Sequence, residues 1–330
     1  MAVNTWDGAT DTDWNTAGNW NTTGVTDRVP TSADDVIIPD TSSLNNPTLG
    51  ATANVKSLTI AANGTVVGGG QTIIIHDEGD GSGGTDQYAA HIQGIISGEL
   101  SLDQRTQETG YLRLSPSSGN IHDLTINHAD CVATLGNFGD VTLTGNLTIT
   151  AGELTTSGND VNLTVAGRTQ LDGGTITCNG STVQFGASDY TTDYGLKMNA
   201  ASTTVTADAD STLTMSSIYA ANDSSVNLSL AGSNTVTGIG PSSQVMRLLT
   251  GVVDVATTFT ITTVAGYPIV EVTDPSVSLI LTPASAETYY LGTQNMSVTA
   301  LTINANATLS TLHTSGSATS RNLTTTGDVS

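Results

Sequence analysis

Apolar and polar residues alternate in short sets along most of the chain, and Gly, Asn or Asp separates one set from the next. The pattern is clearest over residues 141–186, "VTLTGNLTITAGELTTSGNDVNLTVAGRTQLDGGTITCNGSTVQFG". A period of two places every second side chain on the same face of a strand. The pattern therefore predicts strands of about four to six residues joined by tight turns. No stretch has the period of a long amphipathic helix.

A Leu-Thr-apolar triplet recurs along the chain. It begins at Leu58, Leu124, Leu147, Leu163, Leu213 and Leu301, with a degenerate form at Leu228. The closer triplets follow one another at short, unequal intervals, such as Leu124 to Leu147 and Leu147 to Leu163. An irregular repeat of about 20 residues is typical of a β-solenoid, in which each coil needs two or three short strands and their turns.

Two other architectures compete with the solenoid. A β-sandwich or barrel also has alternating strands, but its strands are longer and its core is richer in aromatic residues than this chain, which has three Phe in 330 residues. Disorder conflicts with the ordered placement of the apolar residues. We therefore predict an all-β right-handed parallel β-helix with an N-terminal Trp-rich cap and loop insertions.

The pattern divides the chain into four parts. Residues 1–40 form the N-terminal cap and first coil, and residues 41–75 form the first solenoid coils. Residues 76–120 carry more charge and a Gly-rich tip, and we interpret them as an inserted loop or arm. Residues 121–330 continue the solenoid to an uncapped C-terminus. Tyr-containing stretches at 186–199 and 283–295 also interrupt the pattern and are predicted to be recognition loops.

Charge changes the picture of possible partners. Eight Lys and Arg stand against thirty Asp and Glu, which gives a formal net charge of −22. Nucleic acid is not an expected partner, because binding phosphates requires a basic surface. No apolar stretch approaches the length of a membrane span, and the N-terminus lacks the features of a Sec signal, so neither is expected.

All three tryptophans, Trp6, Trp14 and Trp20, lie close together at the N-terminal end of the chain. The first coil of a solenoid leaves its apolar interior and a row of backbone groups open, and bulky rings would cover that opening. The competing interpretation is a carbohydrate platform of exposed rings. Loss of stability on mutation would indicate a cap, and loss of binding alone would indicate a platform.

The Trp-rich lead-in, the motif "DDVIIP" and the later "NLTVAG" at 162–167 resemble the start of β-helical repeat regions in phage virion proteins and large bacterial surface adhesins. The resemblance is specific over the cap and first coils, up to about position 75. It implies a right-handed parallel β-helix with a structural or adhesive role, and homotrimers are common in that group.

Candidate catalytic groups do not form a recognisable set. An inverting glycosidase needs two carboxylates at a set distance, and Asp34-Asp35 is the one adjacent Asp pair in the sequence. The other acid/base groupings are His76-Asp77-Glu78 and His122-Asp123. Neighbouring residues on a strand point to opposite faces, so neither makes a ready dyad. We expect no catalytic residues, no bound cofactor and no enzyme activity.

The candidate metal ligands and the two cysteines are likewise expected to have structural roles only. Asp77–Asp86 faintly resembles an acidic calcium loop, and Asp11–Asn15 begins like an EF-hand but lacks its later ligands. We expect solvated loops and no metal site, with calcium at 77–86 left open. Cys131 and Cys178 are predicted to be small buried hydrophobes, against a disulfide or a reactive thiol.

The leading hypothesis is a non-enzymatic structural or attachment protein: a phage virion fibre, spike or capsid-decoration protein located in the virion. A bacterial surface adhesin or extracellular-matrix repeat protein is the alternative, followed by a polysaccharide depolymerase with a site between subunits. The expected partners are further copies of the chain, as a trimer or by end-to-end stacking, other virion or surface proteins, and cell-surface glycans. Stacking follows from the C-terminal stretch, which has no aromatic lid.

Overall fold

The structure is a computed structural model that describes residues 2–77, 88–106, 109–136, 139–156, 161–186, 194–199, 202–220, 226–237, 244–249, 252–262, 268–292, 295–310, 323–325 and 327. The chain divides into two compact units, Met1–Asn162 and Leu163–Ser330. Apart from a 3₁₀ turn at Ala17–Asn19, every element in the described residues is a strand. The fold is a right-handed parallel β-solenoid, which confirms the predicted class.

The first unit contains fourteen strands in its described residues. They are β1 Ala2–Trp6, β2 Trp20–Thr22, β3 Asp34–Ile38, β4 Ala53–Val55, β5 Ser57–Ile60, β6 Thr65–Val67, β7 Gln71–Ile75, β8 Tyr88–Ile92, β9 Ile95–Ser97, β10 Leu100–Gln104, β11 Thr109–Leu114, β12 Leu124–Leu135, β13 Val141–Leu143 and β14 Leu147–Thr155.

These strands stack into parallel ladders that follow different faces of the coil. One ladder runs β1–β3–β5–β8–β11 and then along the C-terminal parts of β12 and β14; a second runs β4–β7–β10 and along their N-terminal parts. The third face pairs β6 with β9. Leu102 is the ladder partner of Leu124, which in turn is the partner of Leu147, so each of these sequence intervals is the length of one turn.

The alternating side chains of each ladder fill a narrow interior. One interior column crosses six strands and is buried throughout. In register, its members are Asn4, Val36, Leu58, Ala90, Leu112 and Leu135. Aliphatic side chains dominate because successive turns lie only one strand spacing, about 4.8 Å, apart, and branched residues stack well at that distance.

Residues 88–114, which the sequence placed in an inserted arm, contain four strands. Strands β8, β10 and β11 pair with strands of the turns before and after them. This part of residues 76–120 therefore belongs to the ladders. Residues 78–87, the Gly-rich tip of the predicted arm, lie outside the described residues.

The second unit contains nineteen strands in its described residues. They are β15 Leu163–Val165, β16 Thr169–Leu171, β17 Gly174–Cys178, β18 Thr182–Phe185, β19 Leu196–Met198, β20 Thr203–Ala207, β21 Thr212–Met215, β22 Ile218–Ala220, β23 Val226–Leu230, β24 Ser233–Val236, β25 Gln244–Leu248, β26 Thr257–Ile261, β27 Ile269–Val272, β28 Val277–Leu281, β29 Glu287–Leu291, β30 Met296–Val298, β31 Ala300–Ile303, β32 Ala307–Ser310 and β33 Leu323–Thr325.

This unit also has several parallel ladders. They run β15–β18–β21–β24–β26–β28–β31, β16–β19–β22–β25–β27–β29–β32 and β17–β20–β23, with β30 paired to β33. The predicted uncapped end falls mostly on residues 311–322, 326 and 328–330, which lie outside the description. Within the residues that the structure describes, no helix is long and apolar enough to cross a membrane.

Candidate functional site

The three tryptophans form one buried cluster at the N-terminal end of the first unit. Trp6, Trp14 and Trp20 are 1%, 2% and 0% exposed. The Trp20 ring meets both others edge to face, with centroids 4.9 Å from Trp6 and 4.8 Å from Trp14. Aromatic pairs favour this geometry because the positive edge of one ring faces the negative face of the other.

The indole N–H groups of Trp6 and Trp20 both donate to backbone carbonyls. The Trp6 Nε1–H donates to the Asn45 carbonyl at 2.6 Å, and the Trp20 Nε1–H donates to the Trp14 carbonyl at 2.8 Å. Asn45 also donates from its side chain to the Gly8 carbonyl at 2.7 Å. Gly8 has a φ of +57° and so little room that an added Cβ would lie 2.8 Å from the Asn45 oxygen. The tight Trp-Asp-Gly turn therefore requires glycine.

Asn19 holds the loop that carries Trp14 and Trp20. It is fully buried, and its Oδ1 accepts from the backbone N–H groups of Thr10 and Asp11, both at 2.9 Å. Its Nδ2 donates to Asp11 Oδ1 at 2.6 Å and to the Asp13 carbonyl at 2.9 Å. One amide thus uses both of its donor hydrogens and both acceptor positions.

The backbone at this end is covered as well. Strand β1 pairs parallel with β3 on one edge and antiparallel with the three-residue strand β2 on the other. A short antiparallel strand blunts an edge that would otherwise attract another chain. The cluster is therefore a cap, and rings that are at most 2% exposed offer no platform on which a sugar could stack.

Asp34 and Asp35 point to opposite sides of β3 and do not form a carboxylate pair. Asp34 is 1% exposed and accepts from Arg28 at 2.5 Å and from the Thr31 N–H and hydroxyl at 2.9 and 2.7 Å. Asp35 accepts from the Ser57 hydroxyl of the next turn at 2.6 Å. Burial opposes ionisation of Asp34, but the bonds from Arg28 and Thr31 outweigh it, so its pKa lies below the usual value.

The other acid/base candidates also bond to neighbouring turns. His76 Nε2 lies 3.0 Å from Asn54 Oδ1, and His122 Nδ1 lies 3.1 Å from Thr144 Oγ1. Asp123 accepts from Ser101 of the preceding turn at 3.3 Å and from the Asn146 backbone N–H of the following turn at 2.6 Å. Glu78 lies outside the described residues. These groups tie successive turns together.

Of the two stretches considered for calcium, the structure describes Asp11–Asn15 and only the first residue of Asp77–Asp86. Residues 78–86 lie outside the description. In the EF-hand-like stretch, Asp11 Oδ1 accepts from the Asp13 N–H at 2.8 Å and Asp13 Oδ1 accepts from the Asn15 N–H at 2.9 Å. Two hydrogen bonds hold the pKa of Asp11 below its usual value: the bond from the Asn19 side chain has the larger effect, and the bond from the Asp13 N–H the smaller. Within the described ranges, no three His, Cys, Asp or Glu residues come together as metal ligands would.

Both cysteines are free thiols inside the solenoid. Cys131 and Cys178 are fully buried at inward-facing strand positions. Burial raises the pKa of each thiol to about 12, and in Cys178 the charge of Asp208 adds to the effect. A thiol that stays protonated is a poor nucleophile, so both behave as the predicted small hydrophobes.

A group of aromatic and basic side chains lies on the outer face of β8 and β11. We call Tyr88, His91, Tyr111 and Arg113 the β8–β11 patch. In the ladder, Tyr88 pairs with Tyr111 and His91 pairs with Arg113, with an irregularity in register between the two pairs. The rings of Tyr88 and Tyr111 are 6.3 Å apart at 68°, and Tyr88 and His91 are 4.9 Å apart.

A β-bulge in β8 explains why the patch exists. Two consecutive residues, Ala89 and Ala90, are both buried, so Tyr88 and His91 both face outward although they are three positions apart. Bulges commonly redirect side chains in this way. Sequence reasoning missed the patch. The available signal was spacing, since 88 and 111, or 91 and 113, differ by one turn length.

His91 and Arg113 fix one another. Arg113 Nη1 lies 3.0 Å from His91 Nε2. Arginine has only donors, so His91 must accept through a neutral ring. Burial, followed by the positive charge of Arg113, lowers the pKa of His91. Tyr111, on the same outer face, is 38% exposed.

The second unit has a different aromatic group. Tyr194, from the predicted loop 186–199, packs against Tyr219 with centroids 4.9 Å apart, and the Arg247 guanidinium lies 5.4 Å from the Tyr219 centroid. Arg247 pairs with the buried Glu271 at 3.1 Å. Tyr289, from the predicted loop 283–295, is fully buried in β29, so residues 287–291 belong to a ladder.

The fold and the cap define the class of protein as a right-handed parallel β-solenoid whose N-terminal end is closed by tryptophan. A family model described as a domain of unknown function (DUF8693) matches residues 5–84. The match begins within β1 and spans the cap and the first coils, about a quarter of the chain. No curated protein and no solved structure matches the sequence significantly.

Proposed function

We propose that the chain is a non-enzymatic structural or attachment protein, a phage virion fibre, spike or capsid-decoration protein. One observation carries the proposal: the side chains that the sequence offered for acid/base chemistry bond to residues one turn away. The pairs His76–Asn54, Asp35–Ser57 and His122–Thr144 are each 22 residues apart.

These bonds support a mechanical role in a simple way. A solenoid is stabilised by contacts between nearest-neighbour turns, and a polar side chain that bridges two turns strengthens that contact on the outside of the coil. A carboxylate that already accepts hydrogen bonds, as Asp34 does at 1% exposure, is poorly placed to attack a substrate or activate water. The location in a virion rests on the sequence resemblance of the cap and first coils.

The test has two arms. Antibodies against the purified chain are used to probe purified virions and cell-envelope fractions of the source culture, and we expect signal in virions. In parallel, the protein is incubated with host capsular polysaccharide, and we expect no new reducing or unsaturated ends. Signal only in the envelope would contradict the virion assignment, and new ends would contradict the non-enzymatic one.

Self-association is a further part of the proposal. Its support is the resemblance of the cap and first coils to β-helical repeat proteins, in which homotrimers are common. Analytical ultracentrifugation at several protein concentrations tests it, and a mass that stays at the 33.6 kDa of one chain would contradict it.

A further inference from the structure

We infer that the interior of the first unit holds a tightly bound water molecule at the C-terminal end of β10. The water bridges the side-chain amide of Gln104 and the hydroxyl of Thr106. This inference goes beyond the proposed function, because it assigns a ligand site inside the coil and does not depend on where the protein acts.

Gln104 occupies an interior column that is otherwise aliphatic. In the ladder it lies between Ile75 of the preceding turn and Ile126 of the following turn, and all three side chains are fully buried. Within the part of the chain that the structure describes, neither Nε2 nor Oε1 of Gln104 has a hydrogen-bond partner. A buried amide that leaves its hydrogen bonds unmade destabilises a fold. Gln104 therefore needs a polar partner inside the coil.

Thr106 places a second polar group on the same inner side. It is fully buried, and its Oγ1 likewise has no partner in the described ranges. The residue between the two, Arg105, points outward and bonds to Asp103 at 2.6 Å. Two residues along an extended strand span about 6.6 Å, so the side chains of Gln104 and Thr106 are near enough to share one water. That water gains the two or more polar partners that a buried water requires.

The chemistry of the two side chains selects water over a cation. An amide and a hydroxyl both donate and accept hydrogen bonds, as water does. A hard cation takes oxygen ligands and compensating negative charge, whereas Gln104 and Thr106 are neutral and the amide also presents N–H groups. The complete burial of both side chains fits a ligand as small as water.

The column offers variants that separate the polar groups from the packing. Gln104→Met removes both unpaired amide atoms and keeps an unbranched side chain. Thr106→Val removes the hydroxyl and keeps the shape. The matched control is Ile126→Met, which places the same new side chain one turn away and leaves both polar groups unchanged.

Two magnetic resonance measurements test the site. In the intact chain, the side-chain amide hydrogens of Gln104 should show a direct rotating-frame Overhauser effect to water, which has the opposite sign to chemical exchange. Solvent relaxation dispersion counts waters that stay bound longer than the protein takes to tumble. We expect its amplitude to fall by the share of about one water in Gln104→Met and to stay the same in Ile126→Met. Thr106→Val, which leaves the water one bond fewer, should reduce the Overhauser effect at Gln104.

Three results would overturn the inference. They are an intact chain with no direct Overhauser effect at the Gln104 amide, an unchanged dispersion amplitude in Gln104→Met, and an equal loss of amplitude in Ile126→Met. Circular dichroism checks that each variant is folded. The measurement on the intact chain needs no variant, so the inference stays testable if Gln104→Met does not fold.

Discussion

Trp20→Ala should open the N-terminal end of the solenoid while leaving distant turns folded. Trp20 is fully buried, touches Trp6 and Trp14 edge to face, and donates to the Trp14 carbonyl. Truncating a buried Phe or Trp to Ala costs about 3–5 kcal/mol, a range that already includes the lost contacts and the cavity. In a solenoid that loss falls on the first turns, since each turn contacts only its neighbours.

Hydrogen exchange measures the local effect directly. A loss of about 3–5 kcal/mol in the free energy of opening corresponds to a fall of at least about 100-fold in amide protection, at about 1.4 kcal/mol per factor of ten. We expect that fall in β1, β2 and β3. Intrinsic fluorescence provides a second probe. All three tryptophans belong to the cap, so Trp6 and Trp14 report its unfolding separately from the far-ultraviolet signal of the whole chain.

Two variants serve as controls. Trp20→Phe keeps an aromatic ring and should retain most of the protection. Phe259→Ala removes an equally buried ring in the second unit, and it should leave protection of β1–β3 unchanged. Unchanged protection and an unchanged fluorescence transition in Trp20→Ala would refute the cap.

Three further predictions concern polar and thiol groups. Asn19→Ala should cost about 2–3 kcal/mol, because buried N–H groups lose their acceptor, whereas Asn19→Asp places a second carboxylate beside Asp11 and should regain stability as the pH falls from 7 to 4. Melting temperatures at both pH values test this, and an Asn19→Asp deficit independent of pH would contradict it. The pKa of Asp34 is lowered in the folded chain, so the contribution of its carboxylate to stability is present above about pH 4 and is lost as the pH falls through the folded pKa. The difference in stability between the natural chain and Asp34→Asn should therefore narrow in acid. Parallel pH profiles of the two proteins would refute this linkage. Cys131 and Cys178, with pKa values raised to about 12, should not react with a disulfide reagent at pH 8 until guanidinium unfolds the chain; a thiol titrated in the folded state would contradict their burial.

Local periodicity made much of the fold predictable. An alternating strand buries one side of itself whatever its partner is, so the inward positions of residues such as Leu147, Ile149 and Leu163 could be predicted without knowing the ladder. The same rule predicted that neither His76-Asp77-Glu78 nor His122-Asp123 would make a ready dyad. A cluster of large rings at one end of a thin core likewise indicated a cap.

The ladder partners required the tertiary structure. Residues 88–114 carry more charge than the rest and were predicted to protrude, yet β8, β10 and β11 lie in the ladders. Composition reports how polar the outer face is, and the outer face of a solenoid strand is free to carry charge. It does not report whether the alternate residues, such as Leu100 and Leu102, are buried inside.

The sequence by itself determined strand positions, the inward and outward faces and the closed N-terminal end, because these depend on neighbours along the chain. Only the tertiary structure decided which side chains meet across turns. Tyr88 and Tyr111 lie one turn apart, and their contact depends on the length of that turn and on the bulge at Ala89–Ala90. Adding or removing one residue in that turn, or losing the bulge, would turn one of the two rings inward, because the side-chain period of a strand is two.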